Sequence, residues 1–195
     1  MNTAKGPRPD SPRLPTVTDP DPEVQELLDA SGVRGPGEAP LNIFATLANN
    51  PRVFRRFNQL GGTLLFRSSV PDREREIVIL RVGWNARAVY EFGQHTVIGQ
   101  RAGLSDAEIS ALASDAAPTG WSDDDLALVA LADDLCRSDC VSDGTWAALS
   151  ARWDQSQMVE LLVLAGFYRL VSGFLNSAGV VLDAGIPGWP EAANP

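Results

Sequence analysis

Apolar residues recur along this chain at intervals of three and four, the spacing of one helix face, and no stretch alternates with period two for long enough to build a sheet. The pattern predicts a short helix opened by Asp21-Pro22-Glu23 and running to about Ala30. Helices over Leu41–Ala48 and Pro51–Arg67 follow, the second carrying the stripe Phe54, Phe57, Leu60, Leu64 and Leu65. Two more cover Asp72–Trp84 and Arg87–Ala102, with a tight break at Asn85–Ala86. Ser105 and Glu108 form a capping box that starts a helix to about Ala113. After the loop Pro118–Trp121, Ser122 opens a helix to about Arg137, Ser142 one to about Arg152, and Asp154 the longest, to about Ser177. Val180-Val181-Leu182 is too short to make a sheet, so the fold class is all-α.

The same pass divides the chain. Residues 1–40 read as an N-terminal arm with one short helix and a Gly/Pro-rich linker, 41–185 as a helical domain, and 186–195 as a loose tail that Trp189 is placed to pin. Gly61-Gly62 interrupts a helix, where each Gly costs up to ~1 kcal/mol against Ala. Close approach of another helix explains the pair better than a ligand does. In the last helix Leu161–Phe167 is almost wholly apolar, which suits a position deep in a bundle or in a subunit interface; Tyr168, Arg169 and Asn176 are its polar exceptions. Arg169 then pairs with a carboxylate or binds an anionic ligand.

The stretch Val70–Leu104 carries the chemistry. It holds the only histidine, His95. Placed at ~100° per residue, Ala88, Glu91, Phe92, His95, Ile98, Gly99 and Ala102 share an arc of about 120° that is otherwise small or apolar. Glu91 and His95 are thus a carboxylate and an imidazole one helical turn apart on a buried face. Glu76 lies on an inward face of the preceding helix, which is apolar on most sides and therefore central. Burying such groups is unfavourable unless they are paired or used. A satisfied structural pair and a catalytic cluster both remain open on spacing alone.

This stretch resembles the carboxymuconolactone decarboxylase and AhpD-like alkylhydroperoxidase superfamily. The resemblance lies in the run REREIVILRV, in Tyr90-Glu91-Phe92 with His95, and in Ala102-Gly103-Leu104-Ser105 with Glu108-Ile109. Phe66-Arg67-Ser68-Ser69, Asn42-Ile43-Phe44 and Leu175-Asn176-Ser177 extend it over about Asn42 to Asp183. It implies a helical bundle that assembles into a homo-oligomer (dimer, trimer or hexamer) and a site holding Glu76 and His95. In the peroxidase branch a CxxC pair precedes the histidine; here those positions are Ala88 and Glu91. Thiol peroxidase activity is therefore not implied, and Glu91 turns a redox site into an acid–base one.

The leading expectation is a cofactor-free enzyme that decarboxylates or isomerises a small lactone or carbonyl acid. His95, Glu91 and Glu76 are the catalytic candidates; Tyr90, Arg81, Arg67 and Arg169 are the substrate-binding ones. Tyr90 points off the Glu91/His95 face on the helical wheel, and the arginines are candidate counter-charges for an anionic substrate. The alternatives are a peroxidase-like antioxidant protein and a non-catalytic binding or assembly protein of the same fold.

Composition narrows partners more than chemistry. The 195 residues carry a net charge of −9 and no cluster of Lys and Arg, which argues against a nucleic-acid partner. The continuous apolar runs fall short of the ~20 residues of a membrane span, and the N-terminus shows no apolar leader, so the expected place is the cytoplasm, with no membrane partner. Cys136 and Cys140, four residues apart, match neither a CxxC redox motif nor a zinc site, and no metal is expected.

Overall fold

The computed structural model describes residues 8–32, 35, 39–191 and 193. Among them are nine α-helices and no strand: α1 (Pro22–Ala30), α2 (Asn42–Leu47), α3 (Pro51–Phe66), α4 (Asp72–Asn85), α5 (Val89–Arg101), α6 (Asp106–Leu112), α7 (Asp123–Ser138), α8 (Asp143–Ser150) and α9 (Gln155–Ala178). The helix starts follow from local chemistry. Asp21, Asn50, Ser122 and Ser142 each accept a hydrogen bond from a first-turn amide. Ser105–Glu108 closes a full capping box, and so does Asp154 with Gln157.

Helix α4 is the axis of the bundle and packs against α5, α7 and α9. Ile77, Val78, Ile79, Leu80 and Val82 are all wholly buried, as a helix apolar on every side requires. Helix α9 is long and apolar enough to span a membrane by length and composition. Its Leu161, Leu164, Ala165 and Val171 are buried within the bundle, which is what a central helix needs.

Helix α5 begins two residues later than its sequence pattern suggests. Arg87 takes a left-handed conformation with φ 51°, which an α-helix excludes. Its guanidinium stacks 4.0 Å over the Trp84 ring and donates to the Trp84 carbonyl and to Asp115. The left-handed residue and these contacts bend the chain sharply, so that α5 folds back along α4. Glu76 and His95 come from these two helices.

The described ends of the chain are fastened to the bundle. Arg13 N–H donates to the Ala178 carbonyl, Val17 N–H to the Ala45 carbonyl, and Asn49 to the Pro15 carbonyl. A Cβ at Gly179 would lie 2.8 Å from the Ser11 carbonyl oxygen, and its φ of +68° excludes most side chains as well. At the other end Trp189 packs on Trp84 and Phe92, with ring centroids 5.3 and 5.0 Å apart. The tail expected to be loose is therefore held through Trp189; residues 192, 194 and 195 of it, and 1–7, 33, 34 and 36–38 of the expected arm and linker, lie outside the described residues.

The tail runs so close to α5 that a Cβ on Gly93 would sit 2.2 Å from the Pro187 carbonyl oxygen. Gly93→Ala is expected to lift this segment. Helix propensity favours Ala by up to ~1 kcal/mol, but overpacking against backbone costs about 1–3 kcal/mol. The net result is a lower melting temperature and a changed tryptophan emission as Trp189 leaves its two rings; an unchanged melt would show that the tail contributes nothing.

Candidate active site

Glu76 on α4 and Glu91 and His95 on α5 meet where the two helices cross, and all three are buried (0, 3 and 5% exposed). His95 Nδ1 lies 2.6 Å from Glu76 Oε2, and His95 Nε2 lies 3.1 Å from Glu91 Oε1. The imidazole is thus clamped between two carboxylates. Behind Glu76, Arg75 Nε stands 3.5 Å from Glu76 Oε1, an ion pair without a hydrogen bond, and Arg75 Nη1 donates to Asp72. The order Arg75–Glu76–His95–Glu91 alternates in sign when the imidazole is protonated, which is how buried charges are tolerated.

Burial by itself would depress the basicity of His95. The charge and hydrogen bond of Glu76, then those of Glu91, outweigh it and push the pKa up to about 10. His95 is therefore an imidazolium at neutral pH, donating from both nitrogens. Among the described residues no group of three or more His, Cys, Asp and Glu converges as a ligand set.

The raised pKa links stability to pH. A histidine near 6.5 when unfolded and about 10 when folded contributes stability that is complete below pH 6.5 and is lost as pH rises toward 10. On the acid side burial opposes ionisation of Glu160, but hydrogen bonds from Ser68 and Ser69 hold its pKa below 4.5, so its contribution is lost as pH falls through that range. Urea unfolding at a series of pH values is expected to give a plateau between about pH 5 and 6.5 with losses on both sides. Replacing His95 by Leu should remove the alkaline loss.

Glu91 and His95 form part of the wall of a cavity of about 620 Å³ between α3, α5, α9 and the segment around α2, a size suited to a small molecule. Most of the remaining wall is apolar, including Leu41, Ile43, Phe57, Ile98, Phe167 and Val171. Glu76 stays behind it. Tyr168 of α9 also lines the cavity and sets its ring edge-on to His95, with centroids 4.9 Å apart and planes at 85°.

Tyr90 reaches the cavity, but its hydroxyl is committed. It donates to Asp183 and accepts from the Ile43 amide at 3.2 Å, while Gln94 donates to the same carboxylate. Burial and the Asp183 contact push the Tyr90 phenol far up. Its role is to hold the C-terminal segment and α2 against α5. Arg67 lies exposed at the cavity wall with no carboxylate partner among the described residues. Arg81 and Arg169 are not brought to the cavity. Arg81 forms a two-pronged pair with Asp133 at 2.6 and 2.9 Å and also bonds the Leu112 carbonyl, a buried brace between α4 and α7. Arg169 bonds Asp139 and the Leu135 carbonyl. For Arg169 this is the pairing alternative; Arg81, expected at the substrate, is instead spent on its brace, and neither lines the cavity. Cys136 and Cys140 do not line it either.

Sequence reasoning missed Arg75 and Tyr168 as parts of the cluster. Tyr168 was visible as a polar interruption of an apolar helix, but nothing local says which helix it will face.

Residues 51–134 match the sequence model of the carboxymuconolactone decarboxylase family. No curated protein matches the chain in sequence. Solved structures share its fold at low identity. An uncharacterized peroxidase-related protein from Silicibacter sp. superposes with a TM-score of 0.76 at 12% identity, over 92% of this chain and 95% of that one. A second such protein, from Ralstonia eutropha and described as an alkylhydroperoxidase AhpD core, gives 0.71 at 18% identity over 92% of each chain. A debrominase, solved alone and as a cysteine variant with 2,3,4-tribromopyrrole, gives 0.65 at 13% identity over 84% of this chain and 87% of its own.

Proposed function

We propose that this chain, whose residues 51–134 match the carboxymuconolactone decarboxylase family model and whose fold is shared with AhpD-like structures, is a cofactor-independent acid–base enzyme that moves a proton at carbon in a small lactone or carbonyl compound. The observation that carries this reading is Glu91: a carboxylate on the wall of an apolar cavity, with one oxygen held by the imidazolium of His95 and, among the described residues, no partner for the second. Glu76 fixes the ring from behind.

Such a carboxylate acts as a general base. Glu91 takes a proton from the carbon beside a carbonyl, the C–H electron pair becomes the new C=C, and the carbonyl π pair moves to oxygen. The enolate is then reprotonated by Glu91 at the same or a vinylogous carbon, which exchanges or isomerises the substrate. Decarboxylation reaches the same enolate: Glu91 takes the carboxyl proton of the substrate acid, the C–C electron pair stays on carbon as CO2 leaves, and Glu91 returns that proton to carbon. His95 orients Glu91 and, as a fixed cation, offsets the charge that develops.

Among the described residues Arg67 is the one arginine or lysine on the cavity wall, and a carboxylate on the substrate would be placed there. Thiol chemistry of the peroxidase kind would need a cysteine at the cavity, and positions 88 and 91 are Ala and Glu. The test is proton exchange in D2O followed by NMR, with α-angelica lactone, a 1,3-diketone and a β-keto acid as probes. Catalysed deuterium incorporation, double-bond shift or CO2 release supports the reading. A rate no faster than buffer with every probe removes it.

A further inference from the structure

Tyr168 has no task in the reaction as drawn, yet its surroundings give it one. The residue is only 3% exposed, and what it exposes lines the cavity. Its hydroxyl has no hydrogen-bond partner among the described residues, in contrast to Tyr90, whose hydroxyl is doubly bonded. Unlike Arg75 Nε, Glu76 Oε1 and Ser172 Oγ, which are enclosed without a partner, the hydroxyl oxygen keeps accessible surface on the cavity side, where a bound molecule can reach it. The ring is fixed edge-on against His95 and packs at right angles to Phe167, with centroids 5.5 Å apart, so the hydroxyl has little freedom to turn away. Burial, with the negative charges of Glu91 and Glu76, holds the phenol well above its usual pKa. It is a neutral O–H that donates a hydrogen bond at every working pH.

We propose that Tyr168 is the oxyanion donor of this site: its hydroxyl binds the substrate carbonyl oxygen and stabilises the enolate formed when Glu91 removes the proton. This rests on the acid–base reading of the same cavity and adds the group that reading lacks. A base alone at a carbon acid leaves the developing negative charge on oxygen unsupported in an apolar cavity, where a preorganised donor is most effective. The protons and electrons balance within the site. The proton goes from carbon to Glu91, the electron pair from the C–H bond to the carbonyl oxygen, and the Tyr168 proton stays on its own oxygen. The proposal also selects the substrate. The reacting carbonyl is a neutral acceptor such as a lactone or ketone, because a carboxylate there would face Glu91.

Two experiments test it. Tyr168→Phe keeps the ring contact with His95 and removes only the donor. The exchange rate with α-angelica lactone is expected to fall about 10²-fold, with KM changed by less than about threefold and an unchanged melting temperature. The second experiment does not depend on turnover. Glu91→Gln mimics the protonated base, and 4-nitrophenol in this protein mimics the enolate, its ionised fraction read from the visible phenolate band. With Tyr168 donating, the bound phenol ionises at lower pH and binds roughly tenfold tighter than in the Glu91→Gln, Tyr168→Phe double variant. Equal binding and equal ionisation in the two proteins, or no binding in either, overturns the proposal. If wild type exchanges and Tyr168→Phe exchanges as fast, the oxyanion role fails while the acid–base reading stands. If no lactone exchanges but the phenolate still senses Tyr168, the acid–base reading fails and the donor remains.

Discussion

Glu91→Gln is expected to fold as wild type and to lose proton transfer from carbon by a factor of roughly 10²–10⁴, the usual contribution of a positioned general base. Glutamine keeps the length, the contact with His95 Nε2 and the cavity shape, so the loss reports basicity alone. His95 adds an internal control. As the only histidine, its ring signal is read directly by NMR. Burial works against its charge, Glu76 supports it most and Glu91 second, so the substitution should lower its pKa from about 10 without bringing it back to an ordinary value. A variant that exchanges α-angelica lactone at the wild-type rate would remove Glu91 from the reaction, whatever happened to the ring.

The largest effect on stability is expected from His95→Leu. The imidazolium is the only cation between two carboxylates, and the side chain of one of them, Glu76, is wholly buried. Taking one partner from a buried ion pair is unfavourable by about 3–5 kcal/mol, a large part of the ~5–15 kcal/mol that holds a domain together. Arg75 compensates only in part, because its Nε stands 3.5 Å from Glu76 on the far side and is not hydrogen-bonded to it. The measurement is the urea midpoint of His95→Leu beside that of His95→Leu with Glu76→Leu. Removing the stranded carboxylate should recover part of the loss, the non-additivity expected of groups in one network. Two variants whose effects simply add would mean that Glu76 and His95 are not coupled, and the description of the cluster as one charge chain would fall.

The site was legible in the sequence to the extent that it lies on one helix. Glu91 and His95 share a face by spacing alone, and Glu76 was placed inward by the apolar run around it. The arginines were a different matter. Arg81 and Arg169 sit in apolar stretches, which says only that each needs a partner. The partners are Asp133 and Asp139, far away in the chain, and no periodicity in α4 or α9 points to them. Tyr90 and Tyr168 show the same limit in reverse. The tyrosine beside the motif spends its hydroxyl on Asp183, whereas the one in the last helix keeps its hydroxyl open to the cavity.

By itself the sequence determined what is local: the helices, through periods of three and four and through starts at Asp21, Ser105, Ser122, Ser142 and Asp154, and the shared face of Glu91 and His95. Helix formation and capping are decided within a few residues, so the chain records them directly. Tertiary structure decided what depends on how helices cross. It closed the cavity between α3, α5 and α9, brought Tyr168 against His95, paired Arg81 with Asp133 rather than with a substrate, and laid the C-terminal segment over Gly93. Those contacts join residues tens of positions apart, and only the packing of the whole core selects among the partners each could have had.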